Sequence, residues 1–401
     1  MTIFRGSDLF VALKQKVRSS MVLIFIAMNV VTFGNIANAQ IYSTKATHGI
    51  LIDVNSNSIL FEKRADEQMK PASMAKILTL AVVYDAIRSN ELNLDDTFTI
   101  SEDAWRRGGT NAGGSTMFAE VDSDVTVENL IRGVAVQSGN DASIALAQGL
   151  SGSEDLFARR MNKFAAQIGM KNSNFTNSTG LPDEDQYTTP RDLAILATYV
   201  IENFPEAYKI FAEKEFTWNE IRQFNRNPLL KANIGADGLK TGFTKESGFG
   251  ITASAIQDDR RLVVVLNGMK TKKERAEESK RVLQWGFRAF DSIPLFGKGE
   301  VLGQALVFGG ANRKVNVVAN RNVSVLRPRG EEGRITARVR YRGPLTAPVS
   351  AGEEIGQLVI KLDGKEVQSQ PVFTDEDIEV GTLQQRALHA IYELTLGWFP
   401  I

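Results

Sequence analysis

Residues 71–83 read Pro71-Ala72-Ser73-Met74-Ala75-Lys76-Ile77-Leu78-Thr79-Leu80-Ala81-Val82-Val83, and the apolar run continues through Ala86 and Ile87. A proline just before a long apolar stretch marks a helix start. A stretch apolar on all sides predicts a buried helix. Ser73 and Lys76, three residues apart, share one helix face. Ser73 stands at the positive end of that helix, where free backbone N–H groups can stabilise an anion. Taken alone, the segment also fits an N-cap serine followed by a solvated lysine.

Two further segments change that balance. Ser138-Gly139-Asn140 lies between the apolar stretches Leu130–Val136 and Ala142–Leu150. It reads as a tight connection between two buried helices, either a plain turn or a pair of side chains aimed into a cleft. Lys240-Thr241-Gly242 follows Asp237-Gly238-Leu239, and the strand-like runs Gly248–Ser254 and Arg261–Leu266 come after it. An edge-strand lysine commonly guards against aggregation. A small Thr and Gly beside it would let a ligand backbone approach closely. Together the three segments hold a hydroxyl nucleophile, an amine base, a second hydroxyl, an amide and a cation, a set sufficient for acyl transfer. The chain has two histidines, His48 and His389, so a Ser-His-Asp mechanism would depend on one of them.

The order of the three motifs resembles that of the serine penicillin-recognising enzymes. Longer stretches carry the likeness to their low-molecular-mass penicillin-binding proteins, the D-alanyl-D-alanine carboxypeptidases. These are Pro71–Lys76, Gln137–Ala142, Thr179-Gly180-Leu181, Asp237–Gly242 and Arg281–Phe287. The resemblance implies a β-lactamase/transpeptidase-like α/β fold, a sheet covered by helices, with a second, small all-β domain and a C-terminal amphipathic helix. It implies Ser73 as acylated nucleophile, Lys76 as general base and Ser138 as proton relay. Asn140, Lys240, Thr241 and Gly242 would hold substrate, and the backbone N–H groups of Ser73 and Phe243 would form the oxyanion hole. Many relatives carry histidine where Phe243 stands. The implied substrate is a peptidoglycan stem peptide ending in D-Ala-D-Ala, and β-lactams would acylate the same serine. No cofactor or metal is expected. A lysine is a poor base near its ordinary pKa of about 10.4. Burial and a second cation, Lys240, are expected to lower that of Lys76. No Glu-x-x-x-Asn is read between Ser138 and Lys240 to supply a base for fast release of a bound penicillin, so slow release is expected. Rival readings are a β-lactamase, a D,D-endopeptidase and a non-catalytic wall-binding scaffold.

Composition narrows the address. Lysine and arginine number 47, as do aspartate and glutamate, so no basic surplus suggests nucleic acid. Absence of cysteine excludes disulfides, thiolate metal sites and a cysteine nucleophile. Arg5, Lys14, Lys16 and Arg18 precede an apolar run from Met21 to Phe33, and Ala37-Asn38-Ala39 fits small-residue cleavage. Residues 1–39 therefore read as a cleaved signal peptide, directing the chain to the periplasm.

The expected division continues with a serine peptidase domain over 40–293, a β-rich domain over 294–381 and a helix over 382–401. Ile50–Val54 and Ile59–Phe61 predict a hairpin, and Thr271–Phe290 a helix closing the first domain. Asp291–Gly299 reads as a linker, and Arg106–Met117 as a loop that is either mobile beside the cleft or plain surface. From Pro294 to Val380 the apolar pattern has period two, as in Ile335, Ala337, Val339 and Tyr341. In the tail, Leu383, Ala387, Ile391, Leu394 and Trp398 share one helix face. The family resemblance makes this helix a peripheral anchor on the inner-membrane surface.

Overall fold

Strands come from both ends of the first domain, and helices fill the interval. The computed structural model describes residues 42–395; the expected signal peptide, Leu394's side chain and Trp398 lie outside what it describes. His48–Asp53 and Ser58–Lys63 form the expected hairpin. They join Arg260–Met269, Gly248–Gln257 and Ala236–Thr244 in a five-stranded sheet. Every pairing is antiparallel, with Ile50 opposite Val265 and Lys240 opposite Thr252. Ala236–Thr244 is an edge strand.

Helices Pro190–Asn203 and Lys272–Ala289 pack on this sheet. Thr271 and Thr189 cap them by accepting from the N–H of Glu274 and Asp192. The helix predicted from Pro71 begins as a 3-10 turn, Ala72–Ala75, and becomes α-helical over Lys76–Arg88. Ten of its residues, Lys76 to Tyr84 and Ala86, are buried. Each large aliphatic among them contributes about 1.5–3 kcal/mol by burial. This core is what fixes the turn carrying Ser73.

The second region is all β. Phe290–Phe296 pairs with Val323–Pro328. A six-stranded sheet follows in the order Ile335–Tyr341, Glu354–Leu362, Lys365–Thr374, Lys314–Val318, Val301–Phe308 and Leu345–Thr346. The expected linker is thus a correction: residues 290–296 form a strand that runs across the expected boundary at 293. Proline is tolerated there because Pro294 lies in a two-stranded pair beside a register shift.

The C-terminal helix Leu383–Thr395 docks through its polar side. His389 Nδ1 accepts from the Gly309 N–H at 3.1 Å, and Gln385 Nε2 donates to the Ala311 carbonyl at 3.1 Å. Leu383, Leu388 and Ile391 are 75%, 65% and 58% exposed. Among the described residues, no helix is long and apolar enough to cross a membrane.

Candidate active site

Ser73 sits half-buried on the 3-10 turn, and Lys76 lies one turn beyond it with no solvent exposure. Lys76 Nζ is 3.3 Å from Ser73 Oγ, 2.7 Å from Asn140 Oδ1 and 2.5 Å from the Thr179 carbonyl oxygen. Asn140 Oδ1 and the Thr179 carbonyl can only accept. A neutral amine has two N–H bonds, which these acceptors consume, and the remaining lone pair then faces the Ser73 hydroxyl. Burial, joined by the field of the Arg226 guanidinium, pulls the Lys76 pKa down to about 7, against the opposing charges of Asp141 and Glu154.

Lys240 and Thr241 are 2% and 6% exposed on the edge strand. The aggregation-guard reading therefore fails for Lys240, because a guard must be solvated. Burial and the neighbouring cations Lys76, Arg226 and Arg275 hold the Lys240 amine well below its ordinary pKa. The cation acting on Lys76 is Arg226, where Lys240 was expected. A Lys240 amine that readily loses its proton exerts little field of its own.

Ser138 follows a π-helical turn, Gly133–Gln137, and stands at φ 70 in the left-handed region. Its hydroxyl is buried with no hydrogen-bond partner among the described residues. Such a group has a desolvation cost and signals a functional demand. Asn140 begins the helix Asn140–Ser151, and its Nδ2 faces Gly114.

Close backbone approach assembles these parts. A Cβ on Gly242 would lie 3.0 Å from the Pro71 carbonyl oxygen, so the edge strand packs directly on the nucleophile turn. Gly180, at φ +78, would put a Cβ 1.9 Å from the Ala72 carbonyl oxygen. Together they frame a cleft of about 680 Å³ holding Ser73, Ser138, Asn140, Thr241, Gly242 and Phe243. Phe243 is half exposed and stacks on Phe249 with centroids 4.2 Å apart. The Arg106–Met117 stretch supplies cleft wall at Gly113, Gly114 and Ser115, and Ser115 accepts the Asn140 N–H at 2.7 Å.

Sequence reading missed Arg226 and Arg275, both cleft-lining cations. It also missed Asp141, whose buried carboxylate accepts from Thr116 Oγ1 at 2.6 Å and from the Met117 and Ala119 N–H groups. An aspartate directly after Ser138-Gly139-Asn140 was the available signal. The interval before Lys240 does contain one Glu-x-x-x-Asn, Glu215 to Asn219. It lies on the hairpin of Glu215–Trp218 and Ile221–Phe224, where Glu215 pairs with Arg222, and neither residue lines the cleft.

A family model described as D-alanyl-D-alanine carboxypeptidase matches residues 35–271. The chain belongs to the D-alanyl-D-alanine carboxypeptidase family. A second model, the C-terminal domain of penicillin-binding protein 5, matches residues 290–380. The Escherichia coli K12 D-alanyl-D-alanine carboxypeptidase DacC is 39% identical over 89% of this chain and 90% of its own length. DacA of Haemophilus influenzae is 39% identical over 82% of this chain and 84% of its own. The crystal structure of penicillin-binding protein 5 from Haemophilus influenzae superposes with a TM-score of 0.76 at 38% identity, covering 84% of this chain and 98% of that one. The carboxypeptidase fold therefore extends through both regions.

Proposed function

We propose that this carboxypeptidase-family chain removes the terminal D-alanine from stem peptides ending in D-Ala-D-Ala, through an acyl-enzyme on Ser73. The observation that carries the reading is the buried Lys76 amine, held by two obligate acceptors with its third contact on Ser73 Oγ. Ser73 Oγ attacks the carbonyl carbon of the penultimate residue and its proton passes to Lys76. The backbone N–H groups of Ser73 and Phe243 receive the oxyanion. The C–N bond then breaks, and the leaving amine takes a proton relayed from Lys76 through Ser138. Asn140 Nδ2 steadies the substrate amide, and Gly242 lets the peptide lie close to the edge strand.

Lys240 and Thr241 receive the chain-end carboxylate, with Arg275 in the same cleft. An arriving anion favours protonation of Lys240, and the resulting ammonium keeps Lys76 neutral. An internal peptide bond brings no such anion, which accounts for exopeptidase action. β-Lactams acylate Ser73 by the same route. The solvent-facing position of Glu215 and Asn219 argues against a β-lactamase-type release.

Residues 1–39 act as a cleaved signal peptide, placing the mature chain in the periplasm. The tail 382–401 rests on the inner membrane, a reading supported by the outward Leu383, Leu388 and Ile391. Vesicle flotation with and without residues 382–401 tests the anchor; identical soluble behaviour overturns it.

The activity is tested by incubating the protein with a pentapeptide ending in D-Ala-D-Ala, a cross-linked dimer and a fluorescent penicillin. The expected outcome is D-alanine release and covalent labelling, both abolished in Ser73→Ala. Labelling retained in that variant would reject the nucleophile.

A further inference from the structure

One margin of the β domain is an open sheet edge. Ile335–Tyr341 is terminal in the six-stranded sheet, and its strand partner among the described residues is Glu354–Leu362. The pairing runs from Ile335 opposite Leu362 to Tyr341 opposite Gly356 without a register shift. No main-chain group of residues 335–341 bonds to any other backbone among the described residues. Alternate N–H and C=O groups of this strand therefore point away from the sheet. The Leu306 N–H donates to Tyr341 Oη at 3.0 Å and pins one end, which leaves Thr336–Arg340 as the open stretch.

Side chains alternate along this edge. Ala337 and Val339 pack against the core of the β domain, while Arg338 and Arg340 are exposed. A groove of about 590 Å³ runs over Arg338, Arg340 and Lys361, with Glu366 as the opposing acid in its lining. None of the three cations has an ion-pair partner among the described residues. We propose that this edge takes up an extended acidic segment of a partner protein as an added strand. Its carboxylates, at alternate positions, would face Arg338 and Arg340, and small apolar residues between them would cover Ala337 and Val339.

Spacing and charge carry the choice of partner. Alternate residues on a strand stand about 6.8 Å apart, so an added strand keeps step with the two guanidinium groups. Main-chain bonds supply the pairing, and the side chains select the sequence. An opposite-charge pair directly across a ladder is favourable and a like pair unfavourable. Charge on an open edge also guards against self-association, because two copies of this edge repel. Such a guard keeps out another cationic strand and admits an acidic one. Proline and bulges, which close an edge to every partner, are absent from residues 335–341.

The test measures fluorescence anisotropy of a labelled, end-blocked Glu-Val repeat peptide titrated with the whole protein at low salt, where screening is weakest. Saturable binding is expected. The double variant Arg338→Gln/Arg340→Gln should weaken it about fivefold, as two exposed ion pairs allow. The reversed variant Arg338→Glu/Arg340→Glu should prefer a Lys-Val repeat instead. Two further peptides probe the same contacts on the unaltered protein. A Gln-Val repeat should bind about as weakly as the double variant binds the acidic one. A Glu-Val repeat methylated at alternate backbone nitrogens should lose binding in one of its two registers, because the charges remain while the main-chain donors are gone. Equal binding of both methylated registers would show a purely ionic contact and overturn strand addition. No binding of the Glu-Val peptide would leave the arginines as a guard alone. Binding of phosphatidylglycerol vesicles through these two arginines, with none to the peptide, would assign the face to lipid and overturn the proposal. Penicillin labelling should be equal in all variants, since the edge stands apart from the chemistry at Ser73.

Discussion

Strands Gly248–Gln257 and Arg260–Met269 each bury six residues in a row, Gly250–Ala255 and Leu262–Asn267, whereas Lys365–Thr374 in the β domain buries only every second residue from Gln368. The first sheet is covered on both faces and the second on one. Covering both faces leaves only an edge for a ligand, and the motif Lys240-Thr241-Gly242 occupies that edge. It also creates a dry interior in which two lysine amines lose their usual hold on protons. The β domain turns charges such as Arg338 and Arg340 out to solvent.

That contrast is broken most severely at the contacts closing the dry site. Gly180→Val should cost at least about 3 kcal/mol, because it meets both a positive φ and the Ala72 carbonyl oxygen. Denaturant unfolding would measure the loss, and penicillin acylation should fail with it. The next effect is on pH. The base proposed above, Lys76, can work only when neutral, and burial pulls its pKa down to about 7. Second-order acylation by penicillin should therefore fall about tenfold per pH unit below that value, reaching about a hundredfold at two units below. A flat profile across that range would place the base elsewhere.

Lys240→Ala should weaken carboxylate-bearing substrates by about 10- to 100-fold in kcat/KM, the worth of a hydrogen bond to a charged group. An esterified analogue should be nearly indifferent, and equal loss on both would count against the assignment. The smallest effect belongs to the β domain. Arg338→Ser, on the exposed side of Ile335–Tyr341, should change stability by less than about 0.5 kcal/mol and leave turnover untouched. A large loss of activity there would show that the two regions are chemically coupled.

The legible parts were those whose signal is local. Period two announced the β domain, and the all-round apolar run announced the helix behind Ser73. Ser73, Lys76, Ser138, Asn140 and Lys240 were legible as candidates because each motif is a contiguous segment. The remaining parts of the site arise from distance along the chain. Lys76 meets Asn140 64 residues away and the Thr179 carbonyl 103 away, and no short window contains such a contact. Arg226 is an ordinary solvated residue by its neighbours and becomes a field source only once the cleft closes around it. Residues 291–296 carry a proline and no clear alternation, so their strand depends on a partner in Val323–Pro328.

Sheet closure joins His48–Asp53 to Arg260–Met269, residues more than two hundred positions apart. Such high contact order slows folding. A nascent chain that has emerged only as far as the Ser73 turn lacks what seats it, since Asn267, whose Nδ2 donates to the Lys70 carbonyl at 3.5 Å, and the close-packed Gly242 and Gly180 all arrive later. The Ser73 hydroxyl is therefore made well before its surroundings, and its setting is complete only when the last strand of the sheet arrives.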